Sequence, residues 1–236
     1  TDKPFVDGLL NQSGTSSDDA TTYNLAAGED WLSGAAPSAT IIDGAGNGIT
    51  MSNVTVPTMT SATYDPTTGI LVVTATDLRN KTGAANDVDV STLTFTGEAG
   101  ATYTLTSAVD VEITSGSQFS VTLGATDKLF IDGLLNKNGT SSDGATVYNL
   151  GAGEDWLSGA DAGATIADEA GNAITVSNVT VPTITSATYD GSTGVLIVTA
   201  TDLRKFDGAA NDIDASSLTF TGEAGVTYTL TSATDV

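Results

Sequence analysis

The sequence predicts a mainly β fold built from a repeated unit, and three observations support that prediction. Alternating runs rich in Thr, Val, Ile and Tyr are separated by turns that contain Gly and Asp, as expected for half-buried strands. Residues 1–111 match residues 126–236 at a constant offset of 125, and 84 of the 111 paired positions are identical. This period exceeds the roughly 20–50 residues of solenoid repeats, so each unit is expected to fold on its own.

The strands are predicted in order along one period. The runs "TMTSATYD" (58–65) and "ILVVTATDL" (70–78) flank the turn "PTTG" and predict a hairpin. Shorter strands are expected in "STLTFTG", "TYTLTSA" and "QFSVTLGA", and two more in "TVYNL" and "AITVSNVTV". Many short strands with frequent turn signals favour a two-sheet antiparallel sandwich.

The apolar period changes once within the unit, in "TDKLFIDGLLNKNG" (126–139), where a short helix is predicted. Thr126 is expected as its N-cap and Gly139 as its stop. In the first copy Pro4 falls in the first turn of the helix, where proline is tolerated. The helix is expected to pack over one end or edge of the sandwich. The side chains expected to be buried are Phe130, Ile131, Leu134, Leu135 and Trp156.

The most natural unit runs over residues 58–182, because a hairpin begins it and Pro182 closes it. Residues 1–57 are then the C-terminal part of one unit, and residues 183–236 are the N-terminal part of the next. The alternative division gives two units and a linker: 1–111, 126–236 and 112–125.

The charge of the chain restricts its partners. The formal net charge is −22, from 29 acidic and seven basic residues. Nucleic acid is not an expected partner, because phosphate binding needs clustered Lys and Arg. An anionic membrane surface is disfavoured for the same reason. No stretch approaches the roughly 20 apolar residues of a membrane span, so membrane insertion is not expected.

Acidic loops that recur in both copies make calcium a candidate ligand. Calcium takes carboxylate, amide and carbonyl oxygens, and "NDVD" and "NDID" supply such oxygens two residues apart. The alternative is that Asn and Asp form turns by bonding their own backbone, which applies equally to "DEAGN". The candidate calcium ligands are Asn86, Asp87, Asp89, Asp77 and Glu98, their counterparts Asn211, Asp212, Asp214, Asp202 and Glu223, and also Asp168 and Asn172.

Four stretches carry a likeness to a known family: "SATYDPTTGILVVTATDL", "NDVDVSTLTFTGEAGATYTLT", "FSVTLGATDKLFIDGLLN" and "DEAGNAITVSNVTV". In these stretches the chain resembles the tandem bacterial immunoglobulin-like and cadherin-like repeats of giant surface proteins and secreted adhesins. The resemblance implies tandem antiparallel immunoglobulin-like β-sandwiches, here with one short helix inserted per repeat. It also implies a rod of modules outside the cell, often stiffened by calcium at loops and joints.

The function expected from these features is structural rather than catalytic. The chain has no His for acid–base work, no Cys, and no nucleophile elbow, so it is not expected to be an enzyme. We expect a spacer or fibre segment of an extracellular bacterial surface protein, in which neighbouring repeats pack together. Residues 183–236 of one molecule are expected to pair head to tail with residues 1–57 of another. The alternatives are a carbohydrate-binding module and an accessory domain of a larger secreted enzyme.

Overall fold

The computed structural model describes residues 2–81, 83, 86–206 and 212–236. These residues form a mainly β structure with two helices, which confirms the predicted class. The two helices occupy equivalent places in the two sequence copies. The elements are α1 (Lys3–Leu9), β1 (Thr58–Asp65), β2 (Ile70–Thr76), β3 (Leu93–Thr96), β4 (Thr102–Thr104), β5 (Gln118–Thr122), α2 (Ala125–Leu134), β6 (Asn149–Ala152), β7 (Ala173–Val176), β8 (Thr183–Asp190), β9 (Val195–Thr201), β10 (Thr219–Thr221) and β11 (Thr227–Thr229).

The central part of the chain forms one curled seven-stranded sheet rather than two antiparallel sheets. Its strand order is β4-β3-β6-β7-β1-β2-β5. The prediction of wholly antiparallel pairing is wrong for one pair, because β1 and β7 are parallel, with Tyr64 opposite Val176. The long connection between these strands, which includes α2, permits the parallel arrangement, whereas a tight hairpin would forbid it.

The β1–β2 hairpin forms where the sequence predicts it. The Asp65 carboxylate accepts a hydrogen bond from the Thr67 amide at 2.8 Å, and the Gly69 amide donates to the Asp65 carbonyl at 2.8 Å. Gly69 has a φ of 69°, a conformation that glycine adopts without steric cost. The turn chemistry is therefore local and is available to the sequence before any tertiary contact forms.

The core lies on the inner face of the curled sheet, under α2. Alternate residues of β2 are buried, as in Leu71, Val73 and Ala75, and β3, β5 and β7 follow the same period of two. Trp156 is fully buried and its ring lies 6.2 Å from that of Phe119. The prediction that Ile131, Leu134, Leu135 and Trp156 are buried is confirmed.

Three details of the predicted helix are wrong. It begins at Ala125, with Gly124 rather than Thr126 as its N-cap, and no side chain caps it. It ends at Leu134, well before Gly139. Phe130 is only half-buried: it stacks on Tyr103 with ring centroids 4.5 Å apart.

The two flanking segments keep the local structure of the central unit but not its burial. The register of β8–β9 repeats that of β1–β2 at the offset of 125, including the irregularity after Ile184 that matches the one after Met59. The β10–β11 pair repeats β3–β4 in the same way. Yet Ile184 is 57% exposed, whereas Met59 is 2% exposed.

The division of the chain into units stays a prediction. The main cluster of buried apolar side chains runs from Met59 to Val176, within the predicted unit 58–182.

Among the described residues, neither helix is long and apolar enough to cross a membrane.

Candidate functional site: repeat joints and open sheet edges

The candidate calcium ligand Asp87 is a buried carboxylate that accepts hydrogen bonds from the protein itself. Its oxygens accept from the amide of Lys81 at 2.7 Å, the amide of Ile113 at 2.8 Å and the side-chain amide of Asn80 at 3.1 Å. This carboxylate fastens the loop before β3 to the segment that follows β4. Asn86, next to it, is exposed.

Asp89 and Asp214 cap short 3-10 turns. The Asp89 carboxylate accepts hydrogen bonds from the amide and the hydroxyl of Ser91 at 3.0 and 2.6 Å. The Asp214 carboxylate accepts from the amide and the hydroxyl of Ser216 at 2.9 and 2.6 Å. Both contacts are the Asx-type turns weighed as the alternative to metal binding. Asp212 likewise accepts from the amide of Phe206 at 2.8 Å.

Asp168 and Asn172 fasten the start of β1 to the strands beside it. The Asp168 carboxylate accepts from the Met59 amide at 2.8 Å and from the Asn172 side chain at 2.9 Å. The Asn172 side chain also donates to the Leu150 carbonyl at 3.1 Å. These contacts hold β7, β6 and β1 in register.

Glu98 links the β3–β4 turn to the loop after α2. Hydrogen bonds from the Gly144 amide and the Asn136 side chain, both at 2.9 Å, hold the pKa of this carboxyl below its usual value. Its counterpart Glu223 is exposed. Asp77 and Asp202 have φ values of 55° and 56°, and the Asp77 carboxylate lies 3.6 Å from the Lys3 ammonium.

The structure thus disperses the candidate metal ligands over several loops. Within the described ranges, no group of three or more acidic side chains is placed to hold one ion. Asn211 lies outside the described residues. Calcium binding stays a prediction.

An arginine links residues 58–182 to the segment before them, and its counterpart links the segment that begins at Thr183 to residues 58–182; these two contact regions are called the joints. Arg79 is buried and Arg204 is partly buried. The Arg79 guanidinium donates to the carbonyls of Asn11, at 3.3 Å, and Thr55. At the offset of 125, the Arg204 guanidinium donates to the carbonyls of Asn136, at 3.3 Å, and Thr180. Each guanidinium can bind two carbonyls of the preceding segment at once, because its N–H donors form a rigid fork.

Each joint also brings a helix against the backbone of the next repeat. The Asn80 amide donates to the Pro4 carbonyl at 3.0 Å, and the Lys205 amide donates to the Leu129 carbonyl at 3.0 Å. A side chain at Gly133 would lie 2.0 Å from the Lys205 carbonyl oxygen, and Gly8 stands in the same relation to Asn80. These glycines permit a close approach that any Cβ would block.

Beyond the second joint, the described residues 183–206 and 212–236 carry an open apolar groove of about 980 Å³. Its lining repeats the inner face of the central unit, although here Tyr189 is 60% exposed while its counterpart Tyr64 is 1% exposed. In the central unit this face is covered by α2 and the side chains around Trp156, which belong to the same buried cluster. Within the described ranges, no segment covers this groove as α2 and the side chains around Trp156 cover its counterpart.

Before the first joint, residues 2–57 expose apolar side chains whose counterparts in the central unit are buried. Trp31 is 59% exposed, although its indole nitrogen donates to the Ile41 carbonyl at 2.9 Å just as Trp156 donates to Ile166 at 2.8 Å. Leu25 is 64% exposed, while its counterpart Leu150 is fully buried. In the part of the chain that the structure describes, these side chains have no sheet packed against them.

Sequence reasoning missed Asp127 and the two joint arginines, Arg79 and Arg204. The Asp127 carboxylate, at the first turn of α2, accepts from the amides of Thr106, Ser107 and Ala108 at 2.8–2.9 Å and from the Tyr103 hydroxyl at 3.0 Å. Burial acts to raise the pKa of Asp127, but these hydrogen bonds outweigh it and lower the pKa below the usual value. Asp127 and the joint arginines recur in register in both copies, and that is the signal which could have revealed them.

Comparisons with family models, with curated proteins and with solved structures found no match. The resemblance to bacterial surface repeats therefore stays a prediction.

Proposed function

We propose that the chain is a non-enzymatic structural stretch of tandem immunoglobulin-like repeats from an extracellular bacterial surface protein, adhesin or fibre. The observation that carries the proposal is the joint, which repeats its arginine contacts at the same offset as the sequence. A joint that repeats these contacts places each repeat in the same relation to its neighbour, and such repetition generates a regular rod.

The composition of the joint supports a stiff connection. Arg79 is buried, and burial lowers its pKa, yet a guanidinium stays charged at any physiological pH. A change of angle that broke its two carbonyl contacts while the guanidinium stayed buried would leave a buried charge without acceptors, which is costly. The repeats are therefore held at a defined angle rather than joined by a free linker.

Calcium fits this proposal as a stabiliser of a chain with net charge −22. A cation that bound the acidic loops would reduce the self-repulsion of the folded state. Its contribution is tested separately below, because the rod depends on the joints and not on the metal.

The test is to lengthen the chain with one, two and three further in-register copies of residues 58–182, inserted after residue 182. A 125-residue unit has a radius of gyration of about 14 Å, so each copy should lengthen the particle by roughly 35 Å in small-angle X-ray scattering. Equal increments are expected. A maximum dimension that hardly grows, or that grows irregularly, would contradict the rod. Antibody labelling of intact source cells tests the surface location.

A further inference from the structure

The middle of the sheet in the central unit is formed by β6 and β7. These two strands lie between β3 and β1 in the order β3-β6-β7-β1. Without them, the sheet would separate into a β3–β4 pair on one side and β1, β2 and β5 on the other. Residues 183–236 are in that separated state: β10–β11 and β8–β9 form two independent two-stranded sheets.

Residues 2–57 contain the counterparts of the two missing strands. The bridge Asn24–Gly48 matches the pairing Asn149–Ala173, and the bridge between Ala27 and Asp43 repeats the one between Ala152 and Asp168. The segments 24–27 and 48–51 are thus already held beside each other. They are not extended into full strands, because neither has the outer neighbour that β3 and β1 provide.

We propose that residues 183–236 of one molecule bind residues 2–57 of a second copy, whose segments 24–27 and 48–51 enter as the two central strands between β10 and β8. This rests on the proposed function, in that both segments are treated as parts of one repeat. The central unit gives the register: Phe95 opposite Leu150 becomes Phe220 opposite Leu25.

Two polar contacts of the central unit would be rebuilt across the interface. Asp2 is the counterpart of Asp127, and it would accept from the amides of residues 231–233 as Asp127 accepts from those of residues 106–108. Asp7 is the counterpart of Asp132, which accepts from the Tyr64 hydroxyl at 2.7 Å. Asp7 would accept from Tyr189 in the same way.

One difference between the copies weakens this pairing. At Gly144 an added Cβ would lie 2.2 Å from a carboxylate oxygen of Glu98. The first copy has Asp19 at the position of Gly144, and Glu223 is the counterpart of Glu98. The interface therefore sets two carboxylates against each other, and like charges in contact disfavour association.

The contact is heterologous and need not close on itself. Each molecule would offer a groove through residues 183–236 and a filler through residues 2–57, so association continues from molecule to molecule into a linear chain. Residues 183–236 and 2–57 include no counterpart of β5, so β9 would remain an edge strand in the joined unit. Growth is expected to be concentration-dependent and reversible.

Two variants with one blocked end each provide the test. Leu25→Asp places a charge on the surface of residues 2–57 that would enter the groove, and it leaves the groove unchanged. Tyr189→Asp places a charge in the groove and leaves residues 2–57 unchanged. Both side chains are exposed in the single molecule, so the substitutions spare its fold. Light scattering should show the unaltered chain at growing multiples of 23.7 kDa as concentration rises. Each variant alone should stay monomeric, and their mixture should stop at a dimer.

The control is Val147→Asp, at a side chain exposed within the central unit, which should associate like the unaltered chain. Asp19→Gly should strengthen association on the order of tenfold. Asp155→Gly, an equal charge change at an exposed site of the central unit, should not. A monomer at every concentration, or a mixture that does not form dimers, would overturn the inference. Regular growth of the lengthened chains would in that case still uphold the rod.

Discussion

Replacement of Leu134 by Ala tests whether α2 covers the core as the structure indicates. Leu134 is 1% exposed, and its Cβ would lie 2.8 Å from a side chain added at Gly97, so the site is tightly packed. The change removes three buried carbon atoms, worth about 2.4 kcal/mol at roughly 0.8 kcal/mol each. A cavity term adds to this, and the total loss of unfolding free energy should be about 2–5 kcal/mol.

The repeat supplies a matched control at Leu9. Leu9 follows "VDG" as Leu134 follows "IDG", yet its side chain is 57% exposed. Leu9→Ala should therefore change stability by less than about 0.5 kcal/mol in dilute solution. The two variants share sequence context and differ in burial, so their difference isolates the tertiary contribution.

The assay is urea unfolding followed by tryptophan fluorescence in a Trp31→Phe background, in which Trp156 alone reports on the central unit. The free energy is taken from the midpoint and slope of that transition. A loss below about 0.5 kcal/mol for Leu134→Ala, or equal losses at both positions, would show that α2 does not cover the core.

Four further outcomes are expected. Asp127→Asn should lower the unfolding free energy by about 3 kcal/mol at neutral pH, because its hydrogen bonds need the carboxylate. Since the pKa of Asp127 is lowered, this stability is present above the unfolded value near 3.9, and the difference from the unaltered chain should close as pH falls through the lower folded pKa; Asp2→Asn, in dilute solution where the chain is monomeric, is a silent control. Millimolar calcium should raise the melting temperature by about 5 °C over chelator, and identical melts would refute calcium binding. Arg204→Ala should broaden the scattering distance distribution, and Arg204→Lys should do so less; an unchanged profile would refute the stiff joint. A peptide of residues 112–125 should bind the dimer of the two blocked variants better than either monomer, and equal binding would refute a missing edge strand.

Much of the local structure could be predicted from the sequence. The β1–β2 hairpin, the short strands and the helix inserted in each copy all follow from patterns of period two, turn residues and a change of period. Whereas β5, β6 and β7 pair with distant strands, the hairpin, the β3–β4 pair and the helices depend on hydrogen bonds between residues near in sequence. The same is true of the register of β8–β9, which forms without the rest of its sheet.

The candidate site could be predicted only in part. The sequence predicted Asp87 and Asp168 as calcium ligands, but carboxylates of this kind serve metal binding and backbone hydrogen bonding equally well. Only the positions of Ile113 and Met59, far away in sequence, show which donors these carboxylates meet. The parallel pairing of β1 with β7 was missed for the same reason, since it joins strands more than 100 residues apart.

The sequence by itself determined the repeat, its period of 125 and the conformation of each turn and hairpin, because identical residues make identical local bonds. Tertiary structure alone decided burial: Trp156 and Trp31 make the same indole hydrogen bond, yet one is enclosed and the other is 59% exposed. Burial requires neighbours from other parts of the chain. Strands 149–152 and 173–176 have those neighbours. Among the described residues, 24–27 and 48–51 make only isolated bridges, to each other and to Asp43 and Gly14.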